Sequence, residues 1–169
     1  MRHIITILLQ NEAGALARVA GMFAARGYNI DSLSVAPTHD PTVSRLTLVT
    51  SGSDAVIEQI IKQTRKLIDV VEIVDLSSKE HLECELVIVK IDLQPQQANA
   101  FIHCVRQHHA IALDGTDNTR TVQITGTAAE IEAFVSALSK ISTVLELVRS
   151  GVAAIELGHH VVTAATASI

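Results

Sequence analysis

The sequence predicts an α+β protein built from two successive β-α-β-β-α-β units, and three observations predict it. Along residues 1–76 the apolar period switches between strand-like alternation and helix-like 3.6 spacing in that order. Glycine, proline and small polar residues stand at the switches. After a polar break at Ser77-Ser78-Lys79-Glu80-His81 the same order runs again.

The first unit begins with residues 4–9, a short aliphatic run that suits a strand buried on both faces. Asn11-Glu12-Ala13-Gly14 breaks it, and Leu16, Val19, Ala20 and Phe23 then recur at helical spacing until Gly27 stops the helix. Residues 29–36 form a strand with one buried face, because Leu33 and Val35 alternate with Ser32 and Ser34. Pro37-Thr38-His39-Asp40-Pro41 is a loop, and Leu46 and Leu48 alternate with Arg45 and Thr47 in the next strand. Ser51-Gly52-Ser53-Asp54 turns the chain and offers an N-cap to a helix lined by Ile57, Ile60, Ile61, Thr64 and Leu67. Residues 70–76 close the unit. This is the split β-α-β order of the ferredoxin-like fold, whose right-handed crossovers place both helices on one face of a four-stranded antiparallel sheet.

In the second unit, residues 85–91 are a strand, and Ala98, Phe101, Ile102 and Val105 mark a helix face. Residues 110–113 and 121–125 are strands flanking Asp114-Gly115-Thr116-Asp117-Asn118. Thr127 and Glu130 have capping-box spacing, ahead of a helix with Ile131, Phe134, Val135 and Leu138 on one face. Residues 144–149 are the last expected strand. The expected boundaries are therefore a first domain at 1–76, a linker at 77–82, a second domain at 83–158 and a tail at 159–169.

Composition excludes several functions. Apolar residues make up 48% of the 169 and charged residues 18%, enough for a packed core and contrary to disorder. So much aliphatic surface on so short a chain also points to burial against another subunit. The net charge is −5 and the tightest basic cluster is Lys62, Arg65 and Lys66, which argues against nucleic acid. No apolar run reaches the length of a membrane span, and the start lacks a small-residue cleavage site, so the expectation is a cytoplasmic protein with no membrane partner. Cys84 and Cys104 lack Cys-x-x-Cys spacing and read as small buried hydrophobes. His108-His109 and His159-His160 read as surface histidines, since adjacent side chains diverge. Phosphate-binding, nucleophile-elbow and zincin motifs are missing, so neither a catalytic residue nor a metal ligand is assigned.

Two segments carry binding chemistry. At residues 11–16 a strand runs through a glycine-containing turn into a helix whose first amides lack intrahelical partners, at the positive end of the helix dipole. Such an end suits a carboxylate, and Gly14 admits a ligand to the backbone; a tight turn relaxed by Gly14 is the alternative. The second strand lies at a sheet edge, where Asp31 is its one charge, so the edge is free to pair with a second copy. Asn29, at the mouth of that strand, either clamps a ligand's polar groups or caps the turn after Gly27-Tyr28.

Asn11-Glu12-Ala13-Gly14-Ala15-Leu16, the run from Phe23 through Gly27-Tyr28-Asn29-Ile30-Asp31-Ser32 to Leu33, Val35-Ala36-Pro37-Thr38 and Ser44-Arg45-Leu46-Thr47 strongly resemble the small regulatory subunit family of acetolactate synthase (acetohydroxyacid synthase). Lys66-Leu67-Ile68-Asp69-Val70 and Arg149-Ser150-Gly151-Val152 fit it too. The likeness is dense in the first 76 residues and implies that the first domain is an ACT domain. It implies a non-catalytic chain that activates a separate catalytic subunit and confers feedback inhibition by valine in branched-chain amino acid biosynthesis. Thiamine diphosphate, Mg²⁺ and FAD belong to that catalytic partner, leaving no cofactor here. Family effector sites lie between two ACT domains of a homodimer. Carried over, Asn11, Gly14, Ala15 and Leu16 meet the effector's carboxylate through backbone amides, Asn29 binds its polar groups, and Ile30 lines the pocket.

Position 17 is Ala where many family members have Ser, and residues 92–118 match the family poorly. Asp92-Leu93-Gln94-Pro95 replaces the glycine turn in the second domain, so one effector site per chain is expected. The alternative function is a freestanding amino-acid-sensing ACT protein that controls another enzyme or a transcription factor. An RNA-binding module would need aromatics on its middle strands, and an acylphosphatase-like enzyme an Arg in its first loop; residues 4–15 and 45–49 supply neither.

Overall fold

A computed structural model describes residues 1–162. The first unit contains β1 (Arg2–Gln10), α1 (Ala15–Ala25), β2 (Ser32–Pro37), β3 (Val43–Ser51), α2 (Asp54–Thr64) and β4 (Val70–Asp75). Its antiparallel sheet runs β2-β3-β1-β4, so β2 occupies an edge, as the sequence order requires. The helices cover one face, packing Val19, Phe23, Ile57 and Ile60 on Ile5, Ile7, Leu9, Leu46, Leu48 and Ile73.

α1 ends in a Schellman arrangement. Gly27, at φ 68°, donates its N–H to Ala24 O, Tyr28 donates to Phe23 O, and the Phe23 and Tyr28 rings meet edge-on at 6.2 Å. The expected strand from residue 29 begins later, at Ser32. Asn29 Nδ2 donates to Asp31 Oδ1 at 2.6 Å while Ser51 Oγ donates to Asp31 Oδ2, and these side-chain bonds hold 29–31 as a turn. Ser53 stands at the N-cap of α2 without a side-chain capping bond.

The second unit contains β5 (His81–Asp92), a 3₁₀ turn (Pro95–Gln97), α3 (Ala98–Gln107), β6 (Ile111–Thr116), β7 (Thr119–Gly126), α4 (Ala128–Ser139) and β8 (Thr143–Arg149). The strand order β6-β7-β5-β8 repeats the first topology. Val87, Val89, Ile91, Phe101, Phe134 and Leu138 form its core. The capping box at α4 is made: Thr127 Oγ1 accepts from Glu130 N–H, and Thr127 N–H donates to Glu130 Oε2 at 2.7 Å. Ile102, placed by spacing on the buried helix face, is 46% exposed, and Cys84 is exposed while Cys104 is buried.

The compact units divide the chain differently from the expected boundaries. The second comprises Glu83–Gly151, and residues 152–162 belong to the first. There lies β9 (Ala153–Glu156), which periodicity missed, and Leu157 N–H donates to Glu80 O at 2.8 Å. Val152 and Ala154 bury the sheet face away from the helices against Ile4, Val49 and Leu76. Lys79 Nζ bonds both oxygens of Glu156 at 2.9 and 3.0 Å, and Arg45 Nη2 donates to Ala154 O. This second cover is why residues 4–9 are all buried, as their apolar run predicts. Residues 163–169 of the expected tail lie outside the described residues.

Candidate functional site

The turn between β1 and α1 is fixed from three directions. Asn11 N–H donates to Thr42 O at 2.7 Å, its Nδ2 donates to Pro41 O, and its Oδ1 accepts from Ser44 Oγ. Gln10 N–H donates to Asp69 O at 2.8 Å, which ties the turn to the entry of β4. Gly14 is the N-cap of α1 in the left-handed region, at φ 88°. A Cβ there would sit 2.9 Å from Arg18 Nη1. Gly14 is thus required twice, for its backbone conformation and for the side chain lying across it.

That side chain belongs to the site and escaped the sequence reading. Arg18 follows Gly14 by one helical turn, so the two share a face, a spacing that was available in the sequence. Its guanidinium grips Asp69 through Nε to Oδ2 and Nη2 to Oδ1, the latter at 2.7 Å. Asp69 is buried, and Arg18's hydrogen bonds hold its carboxyl below the usual 3.8, while Asp69 raises Arg18 in return. A cation is therefore held beside the first turn of α1, where the helix dipole is already positive.

The backbone donors differ from those expected. The Asn11 amide is taken by Thr42 O, and the Ala15 amide by Glu12 O at 3.3 Å. Arg18 N–H makes the first bond of the helix, to Gly14 O. The Leu16 and Ala17 amides are the open donors of the first helical turn, so Ala17 joins the candidate set through its backbone. Ala15 serves by packing, at 2% exposure, and Leu16 stands partly exposed.

Beside this turn lies a groove of about 260 Å³. Asn11, Glu12, Ala15 and Leu16 form one wall, and Val35, Ala36 and Pro37 of β2 the other. Asn29 and Ile30 are elsewhere. Thr50 Oγ1 donates to Asn29 O at 2.6 Å, and from Thr42 to Thr50 is about 27 Å of extended strand. One chain brings Asn11, Gly14, Ala15 and Leu16 together and leaves Asn29 and Ile30 at the opposite end of the sheet.

Other clusters are weaker as sites. Among the described residues no group of three His, Cys, Asp or Glu side chains is arranged to hold a metal, and no helix is long and apolar enough to cross a membrane. His108 packs on the Phe134 ring at 5.5 Å, and His160 Nδ1 pairs with Glu156 Oε2 at 2.9 Å, a carboxylate partner that the sequence reading did not give it.

Residues 5–72 match the model of the acetolactate synthase (AHAS) small subunit-like ACT domain, and residues 84–158 match that of the small subunit of acetolactate synthase. The acetolactate synthase small subunit of Haemophilus influenzae is 42% identical over 158 residues, covering 94% of this chain and 97% of its own. The acetolactate synthase isozyme 3 small subunit of Escherichia coli is 41% identical with the same coverage. The crystal structure of the acetolactate synthase small subunit from Thermotoga maritima superposes with a TM-score of 0.85 at 29% identity, covering 95% of this chain and 99% of that one.

Proposed function

Because this chain belongs to the acetolactate synthase small-subunit family, we propose that it is the non-catalytic regulatory subunit of that enzyme, senses valine, and relays feedback inhibition to the catalytic chain it otherwise activates. One observation carries the sensing site. β2 lies at the sheet edge, and its Val35–Pro37 end forms a wall of the groove beside the glycine turn. Antiparallel pairing of two β2 edges about a two-fold axis runs the strands in opposite directions. The Asn29–Ile30 approach of one copy then lies beside the Asn11–Leu16 groove of the other, uniting the six residues that a single chain separates. The Leu16 and Ala17 amides, the Gly14 turn and Arg18 receive the carboxylate; Asn29 of the second copy receives polar groups of the effector, and Ile30 its aliphatic part.

Effector binding across the two-fold favours one arrangement of the small-subunit dimer, and through it a less active catalytic chain. Coupling of this kind is typically about 1–3 kcal/mol. The docking surface has support in the second unit. Ile111, Gln123, Ile88 and Val148 form a lateral row on the sheet face away from α3 and α4, with Ile111 and Val148 more than half exposed. The chemistry of thiamine diphosphate, Mg²⁺ and FAD stays with the catalytic chain.

Calorimetric titration with valine, leucine and isoleucine tests the reading, using Asn29→Ala and Gly14→Asp alone and mixed. Each variant alone is expected to lose binding. The mixture recovers part of it, because a mixed dimer holds one site built from the intact halves. Failure of the mixture to recover binding refutes a site shared between copies.

A further inference from the structure

We propose that the cavity around His3 binds a small aliphatic ammonium ion, at a site separate from the effector groove. His3 lies on β1 opposite Thr50, at the far end of the strand from Asn11. It is 3% exposed, and neither ring nitrogen has a hydrogen-bond partner. Its Nε2 stands 3.7 Å from Asp54 Oδ1, at the start of α2, and its Nδ1 3.8 Å from Asp75 Oδ2, at the end of β4. The other oxygen of Asp75 accepts from Ser77 N–H and Ser77 Oγ–H at 2.9 and 2.6 Å, so Oδ2 is the one facing the ring.

These groups border a cavity of about 440 Å³. Carboxylates only accept, and a neutral imidazole donates from one nitrogen, so one ring edge sets acceptor against acceptor. Buried polar atoms left in this state are costly, and a donor placed among them relieves the cost. An ammonium group carries three donors, and at the Nε2 edge it serves both Asp54 Oδ1 and an unprotonated Nε2 while Nδ1–H faces Asp75 Oδ2. Ile57, Ile61 and Met1 supply apolar wall for a short alkyl chain.

The same lining selects against other ligands. Asp54, Glu58 and Asp75 border the cavity, no Lys or Arg side chain lines it, and the Met1 ammonium at its rim donates to Gly52 O at 3.2 Å, so the carboxylates outnumber the one cation and an amino acid's carboxylate is disfavoured. Glu58 is paired with Lys62, which leaves Asp54 to meet the cation and Asp75 to hold the ring. The two carboxylates address opposite edges of the imidazole, which does not converge on a metal ion.

The test titrates the full chain with n-butylammonium chloride in mildly alkaline buffer at constant ionic strength, by calorimetry and by the His3 ring resonances in NMR. Saturable binding that moves those resonances is expected, weakened about tenfold or more by Asp54→Asn and by Asp75→Asn. Sodium butyrate should give no response, and both variants should keep the wild-type response to valine. Asp54 is 87% exposed, so its variant folds even where Asp75→Asn does not. Absence of saturable binding, equal affinity in the folded variant, or a response to zinc chloride without one to the amine overturns the proposal.

Discussion

Replacing Gly14 with alanine tests the logic of the glycine turn most directly. Gly14 adopts φ 88°, ψ −11°, where an L side chain costs about 1–2 kcal/mol. The new Cβ would also meet Arg18 Nη1 at 2.9 Å, and the guanidinium can yield only by loosening its two-point grip on Asp69. From the backbone term alone, a chain of this size should melt about 2–8 °C lower. Gly21 provides the opposite case within the same helix: its Cβ would meet nothing within 4 Å and its φ is not positive. Gly21→Ala should therefore stabilise by about 0.5–1 kcal/mol, since glycine is a poor helix-interior residue. Differential scanning calorimetry of the two variants should show shifts of opposite sign. Valine titration of Gly14→Ala should show affinity reduced about tenfold or more, as the Arg18 head is pushed from its place. A Gly14→Ala protein that melts at or above wild type, beside a Gly21→Ala that behaves as expected, refutes the reasoning. Gly14→Asp goes further, because it sets a carboxylate against Arg18 in competition with Asp69 and puts like charge where the proposed effector carboxylate would sit.

Two more perturbations follow from the packing. Asp69 is held below its usual value of 3.8 by Arg18, so its stabilisation is complete above that value and is lost as pH falls through the folded-state pKa. Asp69→Asn should be less stable at neutral pH and lose less on acidification below about pH 3.9, as read by denaturant midpoints across an acid series; an unchanged acid limb contradicts the pairing. Val152 is 4% exposed in the cluster with Ile4, Val49 and Leu76, so Val152→Ala should cost about 2 kcal/mol. Hydrogen exchange should show faster opening of β1, and protection equal to wild type would mean that the returning segment does not support the first sheet.

Much of the fold was legible because each local signal agreed with the global arrangement. Gly27 marks the end of α1, Thr127 and Glu130 the start of α4, and the alternation at Leu46 and Leu48 the buried face of β3. The candidate site was legible in part. Asn11, Gly14, Ala15 and Leu16 are contiguous, and a turn that opens a helix reveals itself in a few residues. β9 left no trace, because four residues are too few to set a period and Ala153 and Ala154 say little about burial.

The sequence by itself determined the two β-α-β-β-α-β units, the edge position of β2, the glycine turn that opens α1, and the family. These rest on periodicity and on residues adjacent in the chain. Only the tertiary structure decided that Arg18 is locked to Asp69 across Gly14, that the amides of Asn11 and Ala15 are already engaged, and that Val152 and Ala154 bury the second face of the first sheet. It also decided that Asn29 sits a full strand length from Asn11. The Arg18–Asp69 pair, the Asn11–Thr42 bond, the cover by Val152 and Ala154, and the separation of Asn29 from Asn11 share a physical reason. Each depends on where residues far apart in sequence are placed by strand order and register rather than on any local preference of the chain.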